Sequence, residues 1–447
     1  MNRSNRRIKP SVAQPLAEPL RIERMADNGQ GVAHVDGKLV FVAGALPDER
    51  VLAARVKRHA NYDEATATDI LEPAAERVTP PCPAYERCGG CALQHQEHAA
   101  QVRDKQMHLA DKLARIGGVQ PDAWLDPVLG PAWHYRRRAR LGARLVPKKG
   151  TVLVGFRERR SSFLTDMTEC PVLDARLSAL IAPLRTLLAG LSAPDQLPQI
   201  EATATDDDVA LVLRHLTPLT DADRAALTGF ASTHGVRWFL QPGGPASVYP
   251  LVPGDDRPLR YRLDAFGLDI EFGPLDFTQV NFAINRQLVP LAVDLLAPQP
   301  GEQVADLFCG VGNFSLALAR RGARVLGLEG DDALVARARD NARRAGLAAQ
   351  CSFERANLYD DAPAVLPRLA ACDAWLLDPP RSGAQALCSA VPKAGPARIV
   401  YVSCNPATLA RDAGLLSGQG YRLVSAGIVD MFPHTAHVES IALFERT

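Results

Sequence analysis

Val304-Ala305-Asp306-Leu307-Phe308-Cys309-Gly310-Val311-Gly312-Asn313-Phe314 is the stretch that decides the fold. A short apolar run ends in two glycines one residue apart and re-enters an apolar pattern of helical period. It reads as a buried strand, a tight turn and a helix. Gly310 and Gly312 let the backbone bend and approach a ligand at the carboxyl end of the strand, where open α/β sheets hold their cofactors.

Working outward, strands are expected at residues 303–308, 324–329, 374–377 and 398–403, and helices at 285–297, 314–321 and 332–345. Strands alternating with helices mean a parallel sheet covered on both faces, a doubly wound α/β domain over residues 274–447. Glu329 closes the second strand, about 20 residues past the glycine turn, where an acid can take both hydroxyls of a ribose. A dinucleotide fingerprint wants a third glycine at position 315, but Ser315 stands there. That favours S-adenosylmethionine, which has no pyrophosphate to cradle.

Two further strand ends carry chemistry. Trp375-Leu376-Leu377-Asp378-Pro379-Pro380-Arg381 presents an acid, and Val400-Tyr401-Val402-Ser403-Cys404-Asn405-Pro406 presents a thiol. Taken alone, Cys404 is a small buried hydrophobe. Its place between a strand end and a proline turns it toward the ligand crevice, as a nucleophile. A thiolate suits methylation at carbon 5 of a pyrimidine, because addition at carbon 6 makes carbon 5 electron-rich. The adduct then needs a base. Residues 430–440 offer Glu439, with His434 and His437 as alternatives.

Upstream, residues 16–75 carry short alternating runs punctuated by Asn28-Gly29, Asp36-Gly37 and Leu46-Pro47-Asp48. Five strands are expected there, in a small OB-like barrel of a kind that binds nucleic acid. Residues 1–15 form a basic tail. Residues 76–273 read as a mainly-β central domain with a helix at 95–116 and one more at 175–191. Cys82, Cys88 and Cys91 cluster, and Cys170 is a plausible fourth ligand; the donor set suits zinc or an iron–sulfur cluster equally. Residues 134–160 hold ten Lys and Arg against the single acid Glu158, interleaved with Tyr135 and Phe156. This reads as a phosphate-tracking surface.

The bulk numbers bound the class. At 447 residues two or three domains are expected, and 51 basic against 50 acidic residues leave a net charge of +1 that names no partner. No apolar run reaches membrane length, and the basic N-terminus is not followed by a secretory core. A cytoplasmic, monomeric protein with no membrane is expected, its nine cysteines used for metal or catalysis rather than disulfides.

The segments Gln279-Val280-Asn281, Asp306 to Phe314, Asp378 to Gly383, Ser403 to Asp412 and His434 to Ser440 resemble the motif set of the bacterial RNA uracil-C5-methyltransferase family. The resemblance implies that Cys404 is the nucleophile and Glu439 the proton-abstracting base. It implies S-adenosylmethionine contacts at Gln279, Phe308, Asn313, Glu329, Asn357 and Asp378, the last also touching the uracil edge. Cys-Gly-Gly-Cys with Gln94-His95 is similar to the family's [4Fe–4S] site, implying Cys82, Cys88, Cys91 and Cys170 as its ligands. The barrel resembles a TRAM domain. Within the family, the branch with both barrel and cluster methylates 23S ribosomal RNA, while the transfer-RNA branch is expected to lack both. The rival readings are a transfer-RNA uracil-C5-methyltransferase, an RNA-binding iron–sulfur protein without catalysis, and methylation of cytosine carbon 5.

Overall fold

The computed structural model describes residues 14–447. All but the end of the basic tail expected over residues 1–15, including Arg3, Arg6, Arg7 and Lys9, therefore lies outside the described residues. Contacts divide the chain into two compact units. The first comprises residues up to 85 together with 91–104 and 434–436; the second holds 86–90, 105–433 and 437–447.

The first unit is built on seven strands: β1 (Gln14–Pro15), β2 (Leu20–Arg21), β3 (Arg24–Met25), β4 (Gly31–Val35), β5 (Lys38–Ala43), β6 (Arg50–Arg58) and β7 (Tyr62–Glu72). Their order is β1-β6-β7-β5-β4-β3, with β2 paired to β6. Residues 20–25 touch both ends of this sheet. Leu20 pairs with Val51 on β6, and Met25 pairs with Gly31 on β4. Asp36 and Gly37 take positive φ, as a two-residue hairpin turn between β4 and β5 requires. Inward residues Ile22, Val40, Val42, Val51 and Ala65 form the core. Buried Glu49 accepts from the Leu46 and Ala74 amides and pairs with Arg77, which ties residues 74–77 to the sheet.

The helix α1 (His98–Lys112) ends in a single π turn at Leu113–Gly117. The division between units falls inside it.

The second unit opens with β8 (Ala123–Trp124), then β9 (Arg138–Val146), β10 (Thr151–Gly155), α2 (Ala175–Ala189), β11 (Gln199–Ala204), β12 (Val209–Arg214), α3 (Asp221–His234), β13 (Arg237–Gln241) and β14 (Tyr249–Pro250). Strands β10-β9-β11-β12-β13-β14 form one sheet. The sequence reading gave residues 133–272 one helix; α3 is a second. Only Asp223, Leu227 and Phe230 of α3 are buried, too thin a stripe for a periodicity signal. Its marker is a capping box between Thr220 and Asp223. α3 supplies the crossover that makes β12 and β13 parallel.

The hairpin β15 (Leu259–Leu263) and β16 (Leu268–Phe272) leads into α4 (Phe282–Leu296), β17 (Gln303–Leu307), α5 (Ser315–Arg320), β18 (Arg324–Glu329), α6 (Asp332–Arg344), β19 (Cys351–Arg355), α7 (Ala362–Leu369), β20 (Ala374–Leu377), α8 (Gln385–Ser389), β21 (Arg398–Ser403), α9 (Pro406–Gly418), β22 (Tyr421–Val429) and β23 (Glu439–Arg446). Eight strands run β19-β18-β17-β20-β21-β23-β22-β8. The five from β19 to β21 are parallel, as the alternation of elements demands. β23 is antiparallel to both its neighbours, β21 and β22. That reversal was not legible in the sequence, and it places the site. The edge strand β8 also comes from the region read as central: Ala123 and Trp124 pair in parallel with Ser425 and Ala426.

Candidate active site

In a parallel sheet, side chains just past the carboxyl ends of the strands share one rim. The reversed β23 brings its amino end to that same rim. Ser403, the last residue of β21, pairs with Ser440, so Cys404 and Glu439 are the next residues out on adjacent strands. Ser440 Oγ donates to Ser403 O at 3.2 Å and fixes the register there. Asp378 stands at the end of neighbouring β20, its amide bonded to Leu307 O at 3.3 Å.

These groups perturb one another. Cys404 is half-buried, and its thiol is pushed up to about 11 by burial and then by the negative charge of Glu439 and Asp378, with Arg381 pulling the other way. At pH 7 only on the order of one molecule in 10⁴ carries the thiolate. Glu439 is 3% exposed, and burial with Asp378 nearby drives its carboxyl far above the carboxylate range. Asp378 is raised to about 7 by burial and by Asp306. Asp306, fully buried on β17, is likewise raised to about 7; its Oδ2 accepts from Ser315 Oγ. Crowded acids with raised pKa in one corner are what proton chemistry requires.

The glycine turn lies on the same rim. Phe308 has φ +69, Gly310 +54 and Gly312 +93. Only glycine takes such values without cost, so Phe308 is a strained position. The Phe308 and Cys309 amides donate to Leu328 O on β18. Glu329 Oε2 accepts from the Gly310 amide at 3.0 Å, and its Oε1 from Gly330 and Asp331 at 2.7 and 3.1 Å. The carboxylate expected to meet a ribose thus also braces the turn. Asn313 spends both ends of its amide inside the protein. Its Oδ1 accepts from Tyr261 Oη at 2.8 Å and Asn285 Nδ2 at 3.0 Å, while its Nδ2 donates to Asn285 Oδ1 at 3.0 Å. Asn357 is exposed past β19 and donates from Nδ2 to Asp360 at 2.7 Å. Gln279 is half-buried just before α4.

The two alternative bases separate. His437 lies 2.9 Å from Arg381 Nη2, and its basicity is lowered by partial desolvation of the ring and by the charges of Arg381, Lys105 and Arg136. His434 belongs to the first unit, where its amide donates to Gln101 Oε1 and its carbonyl accepts from Ala92 and Leu93.

Three groups were missed in the sequence. Tyr359 has its ring 5.8 Å from that of Phe308 and its hydroxyl 2.6 Å from Ser382 Oγ. Arg381 is the cation facing Cys404 and Glu439. Asp412 takes the Ala384 amide and Tyr401 Oη at 2.7 Å each and pairs with Arg411, pinning the loop that carries Asp378 and Arg381 to α9. Arg381 was signalled only by following Asp378-Pro379-Pro380.

Part of the basic run is engaged within the protein. Arg137 pairs with Asp206 at 2.6 Å, Arg140 with Glu201 at 2.5 Å and Lys149 with Asp166 at 2.7 Å. Arg138 donates to the carbonyls of Asp276 and Pro274. Arg140, Arg144, Lys148, Lys149, Arg157 and Arg160 are exposed.

Of the cysteine cluster, Cys82 and Cys91 fall in the first unit and Cys88 and Cys170 in the second. Cys82, Cys88 and Cys170 are buried, Cys91 is partly so, and Gly90 N donates to Cys88 Sγ at 3.4 Å. Among the described residues no group of three or more His, Cys, Asp or Glu is arranged to hold a metal ion. No helix among them is long and apolar enough to cross a membrane.

A family model described as tRNA (Uracil-5-)-methyltransferase matches residues 264–355 and 364–447. The chain is 53% identical over 427 residues to the 23S rRNA (uracil(1939)-C(5))-methyltransferase RlmD of Azoarcus sp. (strain BH72), covering 95% of this chain and 99% of that one. It is 51% identical to the RlmD of Bordetella bronchiseptica, covering 96% and 93%. Among solved structures, the Pyrococcus abyssi tRNA (uracil-54, C5)-methyltransferase in complex with S-adenosyl-L-homocysteine matches with a TM-score of 0.72 at 25% identity, covering 95% of this chain and 100% of that one. A transfer-RNA enzyme therefore spans as much of the chain as the ribosomal ones. Sequence identity is higher to the ribosomal relatives than to this transfer-RNA enzyme.

Proposed function

The chain belongs to the RNA uracil-C5-methyltransferase family, and on that premise we propose that it methylates carbon 5 of a uracil in 23S ribosomal RNA, using S-adenosylmethionine and a covalent adduct through Cys404. The observation that carries the mechanism is the β21–β23 register, which sets Cys404 beside Glu439 at the rim that also bears Asp378 and the glycine turn.

The positive-φ turn and the braced Glu329 carboxylate fit an adenosyl group with its ribose at the end of β18. Phe308 with Tyr359 would flank the adenine, and Gln279, Asn357 and Asp378 would complete the contacts. Asn313 acts by holding the turn, since its amide is engaged. When bound, S-adenosylmethionine supplies an electrophilic methyl group on a sulfonium.

The target base must leave its stack to reach the rim. The Cys404 thiol gives its proton to solvent water and its sulfur bonds to carbon 6 of the uracil, sending the ring electrons toward carbon 5 and the O4 oxygen. Asp378, neutral when protonated, donates to that oxygen and stabilises the enolate. Carbon 5 would then take the methyl group, the sulfonium's carbon–sulfur bond breaking to leave a neutral thioether. Glu439 removes the remaining proton from carbon 5, the ring double bond re-forms, and the Cys404 thiolate leaves. Glu439 must first ionise; once it has, the raised pKa makes its carboxylate a stronger base for that abstraction. Arg381 partly offsets the burial and negative charge that hold the Cys404 thiol up.

The first unit's sheet, with residues 20–25 joined to both its ends, is read as the OB-like barrel of a TRAM domain over residues 16–75. The central region, 76–273, and the methyltransferase domain, 274–447, follow it. Cys82, Cys88, Cys91 and Cys170 are read as the thiolate ligands of a structural [4Fe–4S] cluster. Their soft donor set and the amide donated to Cys88 Sγ support this. The protein would act as a cytoplasmic monomer.

The test is to offer the full chain 23S ribosomal RNA carrying 5-fluorouracil. A stable protein–RNA link mapping to Cys404 is expected, and 5-methyluridine from normal RNA. Cys404→Ala retaining methyl transfer would overturn the covalent mechanism.

A further inference from the structure

The hairpin β15–β16 lies outside the parallel sheet, yet polar side chains tie it to the glycine turn at two points. On β15, Tyr261 is 3% exposed, and its ring packs against Phe272 and Phe282 with centroids 5.9 and 5.0 Å away. Its hydroxyl donates to Asn313 Oδ1 at 2.8 Å, and burial pushes the pKa of that hydroxyl up, so it keeps its proton. On β16, the Glu271 amide donates to Asn341 Oδ1 at 3.0 Å. Asn341 Nδ2 donates to Glu271 O and to Val311 O, each at 2.9 Å.

A third tie comes from α4. Asn285 and Asn313 exchange amide hydrogen bonds of 3.0 Å in both directions. The residues on either side of Gly312 are therefore both held, Val311 by its carbonyl and Asn313 by its side chain. Gly312 between them has φ +93. Asn285 is the polar residue on the otherwise apolar buried face of α4, and Asn341 on that of α6. Burying an amide costs free energy unless it is bonded, and an apolar residue would serve packing as well. Both amides are instead aimed at one turn.

We propose that Tyr261, Asn285 and Asn341 are positioning residues for S-adenosylmethionine, holding Val311 to Asn313 in the shape the cofactor needs before it arrives. The inference rests on the reading of the glycine turn as the seat of that cofactor. A backbone with several positive φ angles is strained or entropically costly to hold. A turn ordered only at binding would subtract that cost from the affinity, whereas one braced in advance does not. The hairpin thereby gains a function in binding although it lies outside the sheet that bears the site.

The test is calorimetry of the full chain with S-adenosylmethionine and with S-adenosylhomocysteine, beside affinity for a 23S RNA transcript and melting temperature. Tyr261→Phe, which removes one oxygen and keeps the ring, should weaken both ligands about fivefold, the worth of one hydrogen bond. Asn285→Ala, which strips the Asn313 amide of its partner, should weaken them about thirtyfold. The KM for S-adenosylmethionine should rise by the same factors while kcat at saturating cofactor and the RNA affinity hold. A merely structural role gives the other pattern, a lower melting temperature with unchanged cofactor affinity, and that result for Tyr261→Phe would overturn the proposal. RNA affinity falling in step with cofactor affinity would overturn it too, since that is general loosening. Should Asn285→Ala not fold, Tyr261→Phe decides alone. A wild type that binds neither ligand would remove the cofactor reading along with this inference. Variants that bind as tightly as a wild type that does bind would remove this inference only.

Discussion

The catalytic rim and the strand β9 treat charge in opposite ways. Along β9 and its flanks the cations have been given an acid or a carbonyl: half-buried Arg137 has Asp206, half-buried Arg138 has two carbonyl oxygens, and exposed Arg140 has Glu201. At the rim, Asp306, Asp378 and Glu439 crowd one another and Cys404, with Arg381 as the facing cation. Pairing serves the fold, whereas buried like charges oppose it and persist where chemistry uses them. A cation-rich sequence run is therefore weaker evidence of function than an unbalanced cluster of acids.

The contrast breaks hardest at Glu439. Glu439→Gln should lower turnover about 10³-fold while protein–RNA adduct accumulates on gels, because carbon 5 keeps its proton and sulfur cannot leave. Free turnover without adduct would give the proton to another base. Asp378→Asn should lower methyl transfer about 10²-fold, as loss of one oxyanion donor does, yet stabilise the protein. The carboxyl is raised from 3.8 to about 7, so the folded state favours its protonated form and wild-type stability falls as pH rises through that interval. Asparagine never ionises. The melting-temperature advantage of the variant should thus grow between pH 5 and pH 8, and an advantage that shrinks would contradict the crowding.

A milder probe is Cys404 itself. With the thiol at about 11, iodoacetamide alkylation at this residue, read by mass spectrometry, should rise about tenfold per pH unit from 7 to 9. A plateau below pH 8 would mean a resting thiolate. Smallest of all is Arg140→Ser. Its guanidinium is 71% exposed despite its partner, so stability should change by under about 1 kcal/mol, and methyl transfer by less than about twofold.

Much of this was legible beforehand because it is local. The glycine turn with Glu329, the strand ends carrying Asp378 and Cys404, and the hairpin turn at Asp36-Gly37 are each written in a few consecutive residues whose backbone needs are specific. α3 escaped because its apolar stripe is two residues wide, and β22 and β23 because an apolar run does not announce its direction. Asp412 and Arg381 carry no local signal: their roles exist only where α9 and the Asp378 loop pack together.

The sequence by itself determined which residue types stand at which strand ends, since strand, turn and helix follow from period and glycine. Tertiary structure alone decided that the amino end of β23 meets the carboxyl end of β21. Strand pairing joins residues far apart in the chain, and the reversal that sets Glu439 against Cys404 is fixed by hydrogen bonds between strands rather than by any property of either segment.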